Sequence, residues 1–315
     1  MVYLNKWLNI LFGDLSYSSL ANLGCIIFFT ISISASSCRE LSECEASLDD
    51  LDWHYVEKVN ELIKKEDYLE AIQVNNKALA YNSNNYIAIS NRGALQFQNQ
   101  GHSISEIELL GILDDFETSL AICPDYLIAN SNMITISSEF NLSDQVIAYA
   151  IKRDSLEKLT PYFLTKLLIG YLHRGHYKYA VKTGETVLKA EPQYTEAANY
   201  LGLAYIQLKN HNRAENLFNQ IMKEGRANSL TYQGVAVLNE KRGNIGKAKA
   251  YYSLSIQNDS TELESYLSLA RIYESQDSLE TACRTYAEAK RSCNRLFEYK
   301  YSRLEVEEKI DKYCS

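Results

Sequence analysis

The stretch Leu201-Gly202-Leu203-Ala204-Tyr205 decides the fold, because the related stretch Leu269-Ala270-Arg271-Ile272-Tyr273 follows it after 68 residues, or two periods of 34. Small residues keep the same phase in other parts of the chain, and four of them are spaced 34 residues apart. The alanines in this phase are Ala71, Ala180, Ala214, Ala248 and Ala282. A period of this length is typical of stacked helical hairpins.

Each of these alanines follows a polar or glycine-containing segment. Two examples are Gly175-His176-Tyr177-Lys178-Tyr179-Ala180 and Gly243-Asn244-Ile245-Gly246-Lys247-Ala248. A segment of this kind predicts a turn that leads into a helix, with the alanine at the point where that helix crosses its neighbour. Every copy is therefore expected to contain two helices joined by a short turn.

The order of residue types within a copy resembles the tetratricopeptide repeat. In the segment 195–228 the family's positions are filled by Leu201, Gly202, Tyr205, Ala214 and Phe218. The resemblance implies an all-α fold, a right-handed superhelical solenoid of about seven helical hairpins with a C-terminal capping helix. It also implies close helix packing at Gly93 and Gly202 and at the phased alanines.

The resemblance extends over about residues 52–296, and two of the copies in this range are degenerate. The copy at 86–126 carries an insertion around 101–111, and the copy at 127–160 keeps few of the family's residues. The remaining copies are expected at 52–85, 161–194, 195–228, 229–262 and 263–296. Residues 297–315 are predicted to form the capping helix that the end of a solenoid requires.

The N-terminal residues indicate a secretory signal. An apolar run from Ile26 is followed by Ala35-Ser36-Ser37 and then Cys38, which is the form of a signal's core and cleavage region. Small residues directly before a cysteine resemble the bacterial lipoprotein box. We therefore expect a lipoprotein-type signal peptide at 1–37, lipidation at Cys38 and an acidic tether at 38–51. Plain cleavage, an uncleaved anchor and a misassigned start remain alternatives.

The cysteines are spaced neither for zinc nor for thioredoxin-like chemistry, because no pair has the CxxC spacing. Cys293 and Cys314 flank the predicted capping helix and are candidates for a disulfide in an oxidising compartment. The alternative is that the cysteines are buried free thiols that pack as small apolar residues.

Composition argues against several functions. The formal net charge is −8, with scattered charges, whereas nucleic-acid binding requires a basic stripe. His173 and His176 lie three residues apart without a carboxylate in a matching motif, so we expect no metal site. No motif of a known catalytic class occurs. The sequence therefore predicts neither a cofactor nor enzymatic activity.

The resemblance places the binding surface on the concave face, which the first helix of each hairpin lines. The basic residues of the family's carboxylate clamp are missing here, and the lining is amide, aliphatic and aromatic. Such a lining favours an extended peptide or a helix of another protein. The candidate contact residues are Asn199, Gln207, Gln233, Arg271, Tyr162 and Tyr200. Most other tyrosines fall at core positions of the repeat.

These observations predict a non-catalytic interaction scaffold, anchored to a membrane through Cys38, that binds another cell-envelope protein or peptide. The outer membrane, its periplasmic face and the cell surface all fit this expectation. Two alternatives stay open. One is a soluble cytosolic adaptor, and the other is an enzyme or the regulatory subunit of one, with its site in the insertion at 98–112.

Overall fold

The structure is a computed structural model that describes residues 44–100, 104–292 and 300–314. Within these ranges it contains fifteen α-helices, one short 3-10 helix and no strand, which confirms the predicted all-α fold of helical repeats. The helices of the first half are α1 Asp50–Lys64, α2 Tyr68–Tyr81, α3 Tyr86–Gln100, α4 Glu106–Ile122, α5 Leu127–Glu139, α6 Ser143–Leu156 and α7 Pro161–His173. The second half has α8 Tyr177–Ala190, α9 Thr195–Gln207, α10 His211–Lys223, α11 Ser229–Lys241, α12 Ile245–Asn258, α13 Leu263–Ser275, α14 Leu279–Ser292 and α15 Lys300–Tyr313.

Six of the turns inside the hairpins place one residue in the left-handed region: Glu66, Asn141, Gly175, Lys209, Gly243 and Asp277. In the turn after α9, the N–H of Asn210 donates to the carbonyl of Tyr205 at 2.8 Å and the N–H of Lys209 donates to Ile206 at 2.9 Å. Such bonds satisfy carbonyls that the end of a helix leaves unpaired, so the turn stops the first helix at a fixed point.

The helices cross closely at small residues. The alanines that set the period, from Ala71 to Ala282, are fully buried. Gly202 and Gly234 both face the ring of Phe218, and a Cβ atom at either glycine would lie 2.4 Å from its Cζ. Because a contact of that length is repulsive, these two positions exclude any side chain while Phe218 keeps its place.

The described part of the chain divides into two compact units. The first comprises the described residues up to Ile104 together with Glu108–Asn132. Its core contains one cluster around Val59, Leu62 and Leu95 and another around Val56, Tyr86 and Cys123. Asp49 begins α1 with a capping box, in which its carboxylate accepts from the N–H of Asp52.

The second unit comprises Ser105–Ile107 and the described residues from Met133 onward. Its hairpins are packed by successive apolar clusters that extend from α7 to α15. The last cluster includes Leu267, Tyr286 and Val306, so α15 covers the apolar surface of the final hairpin. A terminal helix of this kind is what a helical repeat needs to shield its last apolar face from water.

Two disulfides close long loops. Cys44 is bonded to Cys123 across 79 residues, with 5.6 Å between the Cα atoms. Cys283 is bonded to Cys314 across 31 residues, with 5.4 Å between the Cα atoms. The second bond corrects the predicted pair of Cys293 and Cys314, because Cys314 already holds another partner. The two cysteines come together because α15 packs along α14, which brings the end of the chain back to Cys283.

Some expectations fall on residues outside the described ranges. They are the signal segment at 1–37, the lipidation site Cys38, the first part of the acidic tether and Cys293. Of the insertion predicted around 101–111, the part from Glu106 lies inside α4. That helix is 17 residues long, whereas the other helices have 13 to 15 residues, so the insertion lengthens the second helix of its hairpin.

Candidate functional site

The first helices of the hairpins in the second unit form the surface that the repeat predicts for binding. We use the term first-helix face for the surface formed by side chains of α7, α9, α11 and α13, among them Tyr162, Lys166, Gln207, Gln233 and Arg271. It is positioned by the hairpin turns, which fix where each first helix ends, and by the buried alanines of the second helices. Many polar side chains of this face form hydrogen bonds or ion pairs with side chains of the neighbouring first helices. We call this series of contacts the polar ladder.

The first part of the ladder joins α5, α7 and α9. The hydroxyl of Tyr162 hydrogen-bonds Thr135, and burial raises the pKa of this tyrosine. The ammonium of Lys166 lies 5.1 Å from the centroid of the Tyr162 ring. It also lies 3.5 Å from a carboxylate oxygen of Glu196. Tyr162 is therefore held by neighbours on both sides and serves the packing of the face.

The Lys166 side chain is only 13% exposed, so its charge is largely enclosed. Burial is the largest single effect and opposes the charged form, but Glu196, Tyr162 and Glu139 together outweigh it and raise the pKa of Lys166. The lysine therefore stays protonated and paired at neutral pH, and it acts as a structural cation.

The second part of the ladder joins α9 to the start of α11. The Asn199 amide donates to the Oδ1 of Asn228 at 3.0 Å. Asn228 in turn accepts from the N–H of Thr231 and caps α11. Asn199 is fully buried. The structure therefore corrects its expected role, because a side chain enclosed between two helices does not present its amide to a partner.

The other predicted contact residues differ in how accessible they are. Gln207, at the end of α9, and Arg271, on α13, are exposed, and Gln233 on α11 is half-buried. Tyr200 is also half-buried, and it packs against the cluster that contains Leu168 and Ala197. The side chains of Gln207, Gln233 and Arg271 are therefore accessible to a partner. Much of the Tyr200 side chain is instead buried against the core.

The accessible chemistry of this face suits recognition. Amides of Gln207 and Gln233 can donate and accept hydrogen bonds, and Leu203 and Val237 add partly buried aliphatic surface. In the described ranges, no group of three or more His, Cys, Asp or Glu side chains is arranged to hold a metal ion. No described helix combines the length and apolar character that a membrane span requires.

Sequence reasoning missed Lys166 and Asn228, which organise the face. The partner of Lys166 is Glu196, 30 residues later, and the partner of Asn228 is Asn199, 29 residues earlier, so both pairs join neighbouring hairpins. The 34-residue period gives only an indirect signal for such pairs, since it places residues of neighbouring first helices side by side without saying which side chains meet.

Comparison with known proteins agrees with this architecture. Residues 171–236 match the family model described as tetratricopeptide repeat. The crystal structure of a tetratricopeptide repeat protein from Parabacteroides merdae ATCC 43184 superposes with a TM-score of 0.68 at 17% sequence identity, covering 84% of this chain and 99% of that chain. The crystal structure of PilW, described as a widely conserved type IV pilus biogenesis factor, superposes with a TM-score of 0.50 at 18% identity, covering 67% of this chain and 94% of that chain. No curated protein matches the sequence.

The fold of the described residues is similar to that of a solved tetratricopeptide repeat protein, and residues 171–236 match the sequence model of that family. Proteins of this class are scaffolds that bind other proteins or peptides and are typically not catalysts. The similarity concerns the fold, and a fold does not by itself identify a binding partner.

Proposed function

We propose that the protein is a lipid-anchored interaction scaffold of the cell envelope, and that it binds another envelope protein or an extended peptide through its helical repeats. The observation that carries this proposal is the pair of disulfides, Cys44–Cys123 and Cys283–Cys314. Structural disulfides persist in oxidising compartments and are rare in the cytosol, where thiols are kept reduced. They therefore favour a location outside the cytoplasm over a cytosolic adaptor.

The sequence before Cys38 supports the same location independently. It contains an apolar run followed by small residues and the cysteine itself, as in lipoprotein signals. Cys38 precedes the disulfide-bonded Cys44 by six residues. A chain of that length spans at most about 22 Å, at roughly 3.3–3.6 Å per residue. Lipid at Cys38 would thus hold the first hairpin close to the membrane surface.

The accessible first-helix face supports the binding role. Gln207, Gln233 and Arg271 offer hydrogen-bonding groups beside aliphatic surface, which suits a peptide or helix of another protein. A solved protein of similar fold, PilW, is described as a type IV pilus biogenesis factor. This analogy concerns the fold alone.

Replacement of Cys38 tests the anchor. We expect a Cys38→Ser variant to leave the membrane fraction of cells, because the thiol that receives the lipid is absent. Cys25→Ser is the matched control: it lies in the segment that cleavage removes and should fractionate with membranes like the parent protein. If Cys38→Ser stays in the membrane fraction to the same extent as the control, the lipoprotein proposal is wrong.

A further inference from the structure

The capping helix α15 covers part of the first-helix face. On α13, the side chains of Leu267, Arg271 and Glu274 follow one another at helical spacing and therefore lie on the same side of the helix. Leu267 is fully buried in the apolar cluster that includes Val306 of α15. Glu274 is 22% exposed and is paired with Lys309 of α15. Of these three α13 residues, Arg271 alone is exposed.

Side chains of α15 occupy both carboxylate oxygens of Glu274. The Lys309 ammonium donates to Oε1 at 2.8 Å and to Oε2 at 3.0 Å. The hydroxyl of Tyr313 also donates to Oε1. A partner segment that approaches Glu274 along the first-helix face therefore meets a carboxylate that this chain has already paired, and it has to displace α15 to reach it.

The disulfide between Cys283 and Cys314 holds α15 in this position. Cys283 lies on α14, and Cys314 directly follows α15, where its N–H donates to the carbonyl of Ile310 at 2.8 Å. Lys309 is thus only five residues from the bond. A disulfide that closes a loop of 31 residues restricts the freedom of the detached helix. When it opens, only non-covalent contacts hold α15, and the detached state becomes more populated.

The two disulfides differ in how accessible they are. Cys314 is exposed and Cys283 is half-buried. Cys123, in contrast, is only 4% exposed, and Cys44 packs against the same apolar cluster. Thiol–disulfide exchange requires a thiolate to reach one of the two sulfur atoms. A reductant therefore reaches the bond at the capping helix more easily than the bond in the first unit.

We propose that α15 is an autoinhibitory cap, and that a dithiol reductant opens Cys283–Cys314 to uncover the α13 part of the first-helix face. One thiolate of the reductant attacks the exposed Sγ of Cys314, the S–S bond breaks, and Cys283 leaves as a thiolate that takes a proton from water. The second thiolate of the reductant then attacks the mixed disulfide and releases Cys314. The reductant becomes a disulfide, and its two electrons pass to the two cysteines.

Graded reduction of the full chain in detergent tests the order in which the disulfides open. Dithiothreitol is the dithiol, N-ethylmaleimide blocks the freed thiols, and mass spectrometry locates them. We expect Cys283 and Cys314 to be alkylated at least about tenfold faster than Cys44 and Cys123, because a reductant reaches their sulfur atoms more easily. Equal rates, or earlier opening of the bond between Cys44 and Cys123, overturn the inference.

Two measurements on the selectively reduced protein show whether α15 leaves α13. A water-soluble carbodiimide joins Lys309 to Glu274 only while their side chains are in contact, so the yield of this crosslink should fall at least about fivefold. Amide hydrogen exchange of residues 306–313 should become at least about tenfold faster, while that of α9 and α10 stays the same. If reduction leaves either the crosslink or the exchange unchanged, the disulfide is a structural bond only and the inference is wrong.

Paired serine variants separate release of the cap from a general loss of stability. The variant with Cys283→Ser and Cys314→Ser should show the values of the reduced protein before any dithiothreitol is added. The variant with Cys44→Ser and Cys123→Ser is the matched control, and its α15 should exchange as in the parent protein. Circular dichroism and melting temperatures show whether both variants are folded. Equal exchange of α15 in the two variants contradicts a specific role of the bond at the cap.

The inference rests on the binding role proposed for the first-helix face, and it does not depend on the membrane anchor. If α15 stays in place after reduction, the scaffold and its anchor remain as proposed, and only the regulation is lost. If Cys38→Ser stays with the membranes, the anchor is lost, whereas the order of reduction and the release of α15 are measured on the same protein without it.

Discussion

Lys209 has a left-handed backbone, with φ of +60°, in the turn between α9 and α10. Gly175 and Gly243 fill the equivalent place in the hairpins before and after it. A side chain with a Cβ is disfavoured in this region, whereas glycine enters it without steric cost. The geometry of the turn is thus set by the repeat, and individual copies accept some strain to adopt it.

Exchange of residues at this position should change stability in opposite directions. We expect Lys209→Gly to raise the free energy of unfolding by about 1 kcal/mol, and Gly243→Ala to lower it by a similar amount. Urea denaturation followed by circular dichroism measures both changes. Equal midpoints for the two variants and the parent protein would contradict this account of the turn.

Gly202 lies directly against the Phe218 ring, which leaves no room for a side chain at position 202. A methyl group there would lie 2.4 Å from the ring, so Gly202→Ala should destabilise the protein by about 1–3 kcal/mol. Gly246→Ala is the matched control, because a Cβ at that helical position has no atom within 4 Å. The control should be neutral or slightly stabilising, since alanine favours helix. Thermal unfolding distinguishes the two, and equal losses would refute the steric explanation.

Among the helices, α15 is attached through a charged network as well as through its apolar side. The carboxylate of Glu274 on α13 accepts from the Lys309 ammonium at 2.8 and 3.0 Å and from the hydroxyl of Tyr313. It also accepts from Tyr286 at 3.1 Å. The Lys309 hydrogen bond is the largest cause that lowers the pKa of Glu274 from 4.5 to about 2. The network therefore favours the ionised carboxylate of the folded protein.

The direction of this shift predicts how acid acts on the capping helix. A carboxyl group with a depressed folded pKa stabilises the fold above its unfolded pKa and loses that contribution as the pH falls toward the folded value. Attachment of α15 should thus weaken between about pH 4.5 and pH 2. In a Glu274→Gln variant the ionised partner is absent at every pH.

Melting temperatures of the parent protein and Glu274→Gln at pH 7, 4.5 and 3 test this prediction. The difference between them should be largest at pH 7 and should shrink as the pH falls. Glu280→Gln on the exposed start of α14 is a suitable control, because its ion pair to Arg284 is long, at 3.9 Å, and exposed. A difference that stays constant over this pH range would contradict the role of Glu274.

The sequence predicted the elements well, because the hairpin period depends on local signals. Small residues such as Ala214 and turn residues such as Gly243 mark each helix crossing and each helix end within one copy. The sequence predicted the site less well. Asn199 is an amide on a first helix, and only the packing of neighbouring copies shows that it is enclosed.

For the whole molecule, the disulfides were the least predictable feature. The pairing of Cys44 with Cys123 spans 79 residues, and nothing in the local sequence shows that the two ends meet. Cys314 is paired with Cys283, because the capping helix folds back along α14. The 34-residue period predicts the order of the hairpins. Which cysteines pair depends on where the segment that carries each cysteine lies in the folded protein.

The central claim is that this repeat scaffold works outside the cytoplasm with both disulfides formed. Alkylation of thiols in protein taken directly from cells, followed by mass spectrometry, tests it most directly. We expect Cys44, Cys123, Cys283 and Cys314 to resist alkylation until a reductant is added, and then to react in the pairs that the structure shows. Alkylation of all four without reductant would contradict the account and place the protein in a reducing compartment.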